Sequence, residues 1–321
     1  MRAALYESHG LATDVLRIAE VDRPEPGPGQ VRVRVEVSGV NPTDWKSRAG
    51  ATPRSMSGFQ IPHHDGAGVI DAVGAGVHES RTGQRVWTWL AAHGQPWGTA
   101  AEWCVVPEDQ AVPIPDGVSS ELAASLGVPA LTAHRCLFAD GPLHGCSVLI
   151  AGGAGAVGHF AIELAKRAGA RVAATVSGPA KAELAAGAGA DVVVNYKDAD
   201  AAGQLAAFAP ADRIVEVALG ANLPLNLALS GPQTTIVTYA SEATDPVLPV
   251  RAAMTANISM RFVLLYGVPR AVLRRAAADI TQALADGALT ELPVTKFSLD
   301  EVAAAHDAVQ AGAVGKVLVI P

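Results

Sequence analysis

The stretch Ser147-Val148-Leu149-Ile150-Ala151-Gly152-Gly153-Ala154-Gly155-Ala156-Val157-Gly158 decides how this chain folds. Its first five residues are an apolar run of strand length, and an Ala-rich segment of helical character follows from 156 to 168. Between them Gly153-Ala154-Gly155-Ala156-Val157-Gly158 matches GxGxxG. The first glycine permits a tight turn and the second lets backbone approach a pyrophosphate. The third lets helix and strand pack closely. The new helix then presents unpaired N–H groups and the positive end of its dipole to phosphate. Gly-rich turns are common in a chain with 32 glycines, so the motif gains its meaning from standing between a strand and a helix. The expected ligand is a dinucleotide.

Downstream, the same rhythm repeats. Arg171–Val176 is a second strand, and 179–188 a helix that starts on Pro179. Short β-branched runs follow at 191–195, 213–218, 234–240 and 258–266. Strand, helix, strand in this order implies right-handed βαβ units and a doubly wound parallel sheet. Upstream, Val31-Arg32-Val33-Arg34-Val35-Glu36-Val37 alternates apolar and charged residues, as a half-buried strand does. Further short strands at 69–74 and 85–89, separated by Gly and Pro, suggest a β-barrel-like domain over 1–117. Helices at 268–286 and 299–311 and a closing strand at 316–320 should return to that first domain. The expected division is therefore 1–117 completed by 268–321, with the dinucleotide domain at 118–267.

Composition narrows the function classes. Half of the 321 residues are hydrophobic, which supplies a large core and excludes wholesale disorder. Mean hydropathy is +0.25, yet no apolar stretch approaches the ~18 residues of a membrane span. The N-terminus meets Glu7 and His9 at once and lacks a secretory apolar region, so a cytoplasmic location is expected. A net charge of −7, with no Lys/Arg block, argues against nucleic-acid or membrane partners. Cys104, Cys136 and Cys146 lie far apart, with no CxxC pair, and read as reduced packed thiols.

The choice of dinucleotide turns on the end of the second strand. An NAD site wants an acid there for the ribose 2′-OH. This chain reads Thr175-Val176-Ser177-Gly178-Pro179-Ala180-Lys181, with no acid before Glu183. Ser177 can donate to a 2′-phosphate and Lys181 can supply the countercharge, unless it is only a solvated helix charge. Tyr196, after the third strand, offers a further hydroxyl. The expected cofactor is NADPH. A zinc site is not expected: where a thiolate would stand the chain has Asn41, a poor ligand. Adjacent His63 and His64 on an extended segment would point to opposite faces.

These residues carry a family resemblance. The ordered set Gly39-Val40-Asn41-Pro42-Thr43-Asp44, His64-Asp65-Gly66-Ala67-Gly68, Gly83-Gln84-Arg85-Val86, Gly98-Thr99-Ala100-Ala101-Glu102, Leu131-Thr132-Ala133, the glycine loop and Gly315-Lys316-Val317 is spaced as in medium-chain dehydrogenase/reductases. It resembles the zinc-free, NADPH-dependent quinone oxidoreductase branch (the zeta-crystallin-like group) over nearly the whole chain. The resemblance implies a GroES-like catalytic domain and a Rossmann domain, and a homodimer paired through the last Rossmann strand at 258–266. It also implies hydride transfer to a quinone or activated enone. Asn41 and Asp44 match the family's catalytic asparagine and aspartate, and Thr132 the threonine beside the nicotinamide. Tyr239-Ala240-Ser241 and Phe262-Val263-Leu264 match segments bordering the cofactor, and Lys316 is grouped with them. The chain departs from the family in carrying Trp45, Lys46 and Arg48 where tyrosines are usual, His63 where glycine is usual, and Glu216 for an aspartate.

Hydride transfer needs little beyond positioning and a donor for the oxygen on which charge builds. Asn41 can be that donor, or simply a turn-former before proline. Trp45 can stack on a planar substrate or pack in the core. Lys46 and Arg48 can stabilise charge or sit on the surface. Loops 49–60 and 93–97 should shape the substrate pocket. Three alternatives stay open: enone or alkenal C=C reduction, a zinc-type alcohol dehydrogenase with altered ligands, and an NADPH-binding protein without turnover.

Overall fold

The structure is a computed structural model and describes residues 1–51, 58–242 and 244–321. Its contacts divide into two compact units. The first comprises Met1–Val128, Arg270–Ala285 and Glu291–Pro321, and the second Pro129–Pro269 and Asp286–Thr290.

The first unit begins with β1 (Arg2–Leu5), β2 (Arg17–Glu20), β3 (Gln30–Val40), β4 (Asp65–Val73), β5 (Arg85–Thr88), β6 (Trp103–Pro107) and β7 (Ala111–Pro113). The second unit holds β8 (Ser147–Ala151), β9 (Arg171–Val176), β10 (Val192–Asn195), β11 (Ala211–Glu216), β12 (Ser230–Thr238) and β13 (Ser259–Phe262). The first unit is then completed by β14 (Val294–Ser298) and β15 (Lys316–Ile320).

In the first unit β3 is the organiser. It pairs antiparallel with β4 along its length, with β6 at its start and with β15 at its end. Val31, Val33 and Val35 turn inward onto Ile70, Val86, Cys104 and Val106, and Val37 is buried too, which is the burial that alternation predicts. Arg32 departs from that pattern. It is buried because Glu25 and Asp71 each take its guanidinium at 2.8 Å. Antiparallel pairing also brings the starts of β4 and β15 beside the end of β3, with Gly39 opposite both Asp65 and Leu318.

The second unit is a six-stranded sheet in the order β10-β9-β8-β11-β12-β13, parallel at every pairing. Its central strands β8 and β9 are largely apolar and buried, as strands covered on both faces are, whereas β12 is polar over its first half and the edge strand β13 is half-exposed. The strand order reverses between β8 and β11, so the carboxyl end of β8 is the switch point where such sheets take ligands. The expected strand at 258–266 is shorter than its sequence suggests. Val263 still donates to Thr238 O at 2.8 Å, but Leu265–Gly267 coils into a 3-10 turn.

Candidate active site

The glycine loop is built as the motif requires, with one shift. The left-handed residue of the turn is Gly152 (φ 71°), one position before the motif's first glycine. A Cβ on Gly153 would lie 2.8 Å from Ala174 Cβ, so this residue serves packing rather than turning. On Gly158 a Cβ would meet Gly152 O at 2.2 Å, so the helix Ala156–Arg167 can approach β8 only because it is absent. Gly155 differs, because its nearest neighbour would be 3.4 Å away, leaving open space above the turn. It is the N-cap of that helix, and no side chain caps it. The first-turn N–H groups of Ala156, Val157 and Gly158 therefore face that space without a protein cap, and Ala154 lies buried at its edge. An anion fits such a cradle.

At the end of β9, Ser177 is half-buried, and the helix Pro179–Gly187 starts just beyond it. Lys181 stands in the first turn of this helix, where the dipole disfavours a cation. It makes no hydrogen bond or ion pair among the described residues. Tyr196 N donates to Val176 O at 3.0 Å, which places the 47% exposed tyrosine beside the same strand end. Thr132 is buried in the helix Gly127–Phe138. Tyr239 follows β12, its N–H on Glu216 O, and burial pushes its phenol pKa up. Ala240 is half-buried and Ser241 exposed; Phe262 and Leu264 are 66% and 69% exposed around half-buried Val263. Glu216 itself is fully buried, accepting from Val217 N, Ala218 N, Asn222 Nδ2 and Asn226 Nδ2, and is thereby committed to capping the next helix.

The first unit gathers a buried charged cluster at the three converging strand ends. Asn41 Nδ2 donates to Asp65 Oδ2 at 2.6 Å, and Asn41 Oδ1 accepts from Lys316 Nζ at 2.7 Å. Lys316 Nζ lies 3.4 Å from Asp65 Oδ2, and Val128 N donates to Asp65 Oδ1 at 2.8 Å. Asp44 accepts from Asn41 N at 2.7 Å, closing the first turn of the helix Pro42–Arg48. All four of Asn41, Asp44, Asp65 and Lys316 are at most 3% exposed. Burial pushes the Asp65 carboxyl up and the Lys316 ammonium down, each opposed by the other's charge. Both Asp65 oxygens nevertheless face N–H donors, the pattern of an ionised carboxylate, so the proton belongs on Lys316. Lys316 thus engages Asn41 and Asp65, a role that resemblance alone does not reveal.

His63 is not extended; its φ is 74°, a left-handed conformation that is costly outside glycine. A chain of hydrogen bonds holds it there. Thr99 Oγ1 donates to Asp65 O at 2.5 Å, so its single proton is used and Ser38 must donate to it at 2.7 Å. His63 Nδ1–H must then donate to Ser38 Oγ at 2.8 Å, which leaves His63 Nε2 to accept from His306 Nε2–H at 3.0 Å. Both ring nitrogens of His63 are spoken for, so it offers no lone pair to a metal. Among the described residues no group of three or more His, Cys, Asp or Glu could hold a metal ion.

Acid sensitivity follows from these two histidines. Burial holds His63 well below its ordinary pKa, and burial with Arg48 nearby holds His306 at about 3. The unfolded chain takes a proton on each near 6.5, whereas the folded chain does not. Stability should be intact above that value and fall as pH drops from 6.5 toward 3, by up to about 1.4 kcal/mol per pH unit for each histidine. All five tryptophans lie in the first unit, so urea unfolding read by their fluorescence measures it directly. A midpoint unchanged across that window would contradict the arrangement.

The remaining expected residues fall into place less simply. Trp45 is half-buried, and Lys46 Nζ lies 5.8 Å over its ring, so Trp45 is not a core residue like Trp87 and Trp89. Arg48 is not a surface residue: it is 1% exposed, with Nη1 donating to Gly10 O at 2.5 Å. Residues 52–57 of loop 49–60 lie outside the described residues. Asp65 and Thr99 stand in the quoted motifs without a role, and Ser38 and His306 have none in sequence either, although a lysine opening the apolar strand Lys316–Ile320 is a signal of a buried charged partner.

Comparison with known proteins agrees with this construction. Residues 27–116 match the alcohol dehydrogenase GroES-like domain, and residues 156–282 match the zinc-binding dehydrogenase family. A chloroplastic quinone-oxidoreductase homolog of Spinacia oleracea is 36% identical over 213 residues, 63% of this chain and 63% of that protein's length. A solved mycobacterial quinone oxidoreductase is 30% identical, with a TM-score of 0.85 over the whole of both chains. A mycobacterial protein solved with NADPH is 28% identical at a TM-score of 0.87, again over all of both chains. An NAD-dependent alcohol dehydrogenase reaches a TM-score of 0.90 at 26% identity over all of both chains. No helix among the described residues is long and apolar enough to cross a membrane.

Proposed function

The chain belongs to the medium-chain dehydrogenase/reductase superfamily, in its quinone-oxidoreductase branch, and on that premise we propose that it reduces quinones with NADPH and without a metal ion. The observation that carries the cofactor choice is at the end of β9, where Ser177 and Lys181, which has no partner among the described residues, stand in place of an acid. Both NADPH and NAD appear in the names of similar structures, so these two side chains are what favour the phosphorylated form. NADPH, when bound, supplies the hydride.

The chain's own residues bind and orient. First-turn N–H groups of Ala156, Val157 and Gly158 receive the pyrophosphate, and the space above Gly155 admits it. Ser177 donates to the 2′-phosphate while Lys181 balances its charge, and Tyr196 borders the same pocket. Thr132, Tyr239, Ala240 and Ser241 flank the cofactor in this reading. Asn41 spends one amide hydrogen on Asp65, and the other is offered to the quinone oxygen on which negative charge builds. Trp45 offers a flat face to the ring. Hydride and one proton together convert quinone to hydroquinone. Solvent can supply the proton, so no strong acid is needed. In this reading the zinc that gives the second matched family its description finds no ligand in Asn41 or Asp65, both engaged by Lys316, nor in His63, whose ring nitrogens are both used.

Mixing the purified chain with NADPH and a set of quinones and 2-alkenals tests this reading. Loss of nicotinamide absorbance with quinones, unaffected by a chelator, is expected. Turnover of alkenals alone would move the reading to C=C reduction, and no turnover on any electrophile would remove it. The exposed Phe262 and Leu264 at the edge strand β13 also fit a homodimer paired through that edge. Sedimentation of the chain should show a dimer that Phe262→Asp dissociates; a monomeric parent would refute this.

A further inference from the structure

We propose that Lys316 is a positioning residue that works through Asn41, holding the amide in one orientation and strengthening its remaining N–H as a donor to the substrate oxygen. This inference rests on the quinone-reductase reading above.

The amide of Asn41 is gripped at both ends by opposite charges. Its oxygen takes Lys316 Nζ at 2.7 Å and its nitrogen gives a hydrogen to Asp65 Oδ2 at 2.6 Å. Turning the amide over would set the NH2 against an ammonium and the oxygen against a carboxylate, so a single orientation survives. In it, one Nδ2 hydrogen is used and the other makes no hydrogen bond among the described residues. A cation on the amide oxygen draws density from the nitrogen, and hydrogen bonds in series reinforce one another. The free N–H is thereby a better donor than an ordinary carboxamide offers.

Stability alone does not account for a charge at this place. A buried ion pair is commonly no better than well-packed apolar residues of the same volume. Yet the fold makes room for this one. Gly39, opposite Asp65 and Leu318, has no side chain, and a Cβ there would sit 3.1 Å from Lys316 Cε, 3.2 Å from Asp65 Cβ and 2.2 Å from Ala124 O. The neighbouring Gly127 makes similar room, since its Cβ would stand 2.1 Å from Asp65 Oδ1.

The test uses Lys316→Met and, because a lone buried carboxylate threatens folding, the charge-free pair Asp65→Asn with Lys316→Met. Two quantities are read from each: the Asn41 side-chain 15N–1H resonances, assigned by their loss in Asn41→Ala, and steady-state kinetics with a quinone. Both variants should move the Asn41 resonances and lower kcat on the order of tenfold, less than loss of a direct oxyanion donor. The KM for NADPH should stay within about twofold, as an interaction made only in the transition state requires. Unmoved resonances or an undiminished kcat would overturn the inference while leaving the quinone-reductase reading intact. A raised KM for NADPH at constant kcat would instead assign Lys316 to the cofactor and also overturn it. A parent chain inactive on every quinone would bring down the function and the inference together.

Discussion

Gly158→Ala should destabilise the second unit and abolish nucleotide binding, whereas Gly155→Ala should leave the fold intact and weaken binding alone. Both substitutions add one methyl group, three residues apart. At Gly158 the methyl would meet Gly152 O at 2.2 Å, Gly152 C at 2.9 Å and Gly153 Cα at 2.9 Å, all backbone. None of these can swing aside as a side chain could. Alanine is favoured over glycine within a helix by about 1 kcal/mol, but overpacking costs about 1–3 kcal/mol or more and wins here. At Gly155 the nearest neighbour would be 3.4 Å away, which is ordinary contact. The methyl would instead occupy the space above the uncapped first turn. Losing charge-assisted bonds from that turn to a pyrophosphate, worth about 1.5–3 kcal/mol, weakens NADPH on the order of tenfold to a hundredfold. Melting by circular dichroism and nucleotide titration separate the two. Equal melting temperatures, or equal affinities, would show that the glycines do not divide their work in this way.

Asp65→Ala should cost the first unit about 3–5 kcal/mol, because it strands a buried ammonium. Lys316 is 2% exposed and would keep only Asn41 Oδ1, while Val128 N–H and one Asn41 hydrogen would lose their acceptor. Against a usual total of about 5–15 kcal/mol, that is a large share. Urea unfolding followed by tryptophan fluorescence reads the first unit alone. The double substitution Asp65→Ala with Lys316→Met should recover part of the loss, since no charge then stays buried and unpaired. A single variant as stable as the parent would mean that the pair is not closed as described.

Local pattern made much of this architecture legible. Ser147–Ala151, Arg171–Val176 and Lys316–Ile320 are strands with the very ends expected, since each is a short apolar run between turn residues. The parallel sheet and its glycine loop were likewise written in spacing. What stayed hidden depends on partners distant in sequence. His63 reads as part of an extended segment, yet Ser38 and His306 pull it into a left-handed turn. Arg48 reads as a surface cation at a helix end, but Gly10 O draws it inward. Asp65 and Lys316 are 251 positions apart and meet only because β4 and β15 both begin where β3 ends. Neither residue announces this alone, and charge within an apolar strand was the one available sign.

Reduction with NADPH, as proposed, requires that the crossover after β9 end in a pocket for a 2′-phosphate. Fluorescence titration of NADPH and NADH against the parent chain and against Lys181→Ala measures it most directly. The parent should prefer NADPH, and the substitution should weaken NADPH by about 1.5–3 kcal/mol while barely changing NADH. Equal affinity of the parent for both coenzymes, or an equal loss of both in Lys181→Ala, would contradict it.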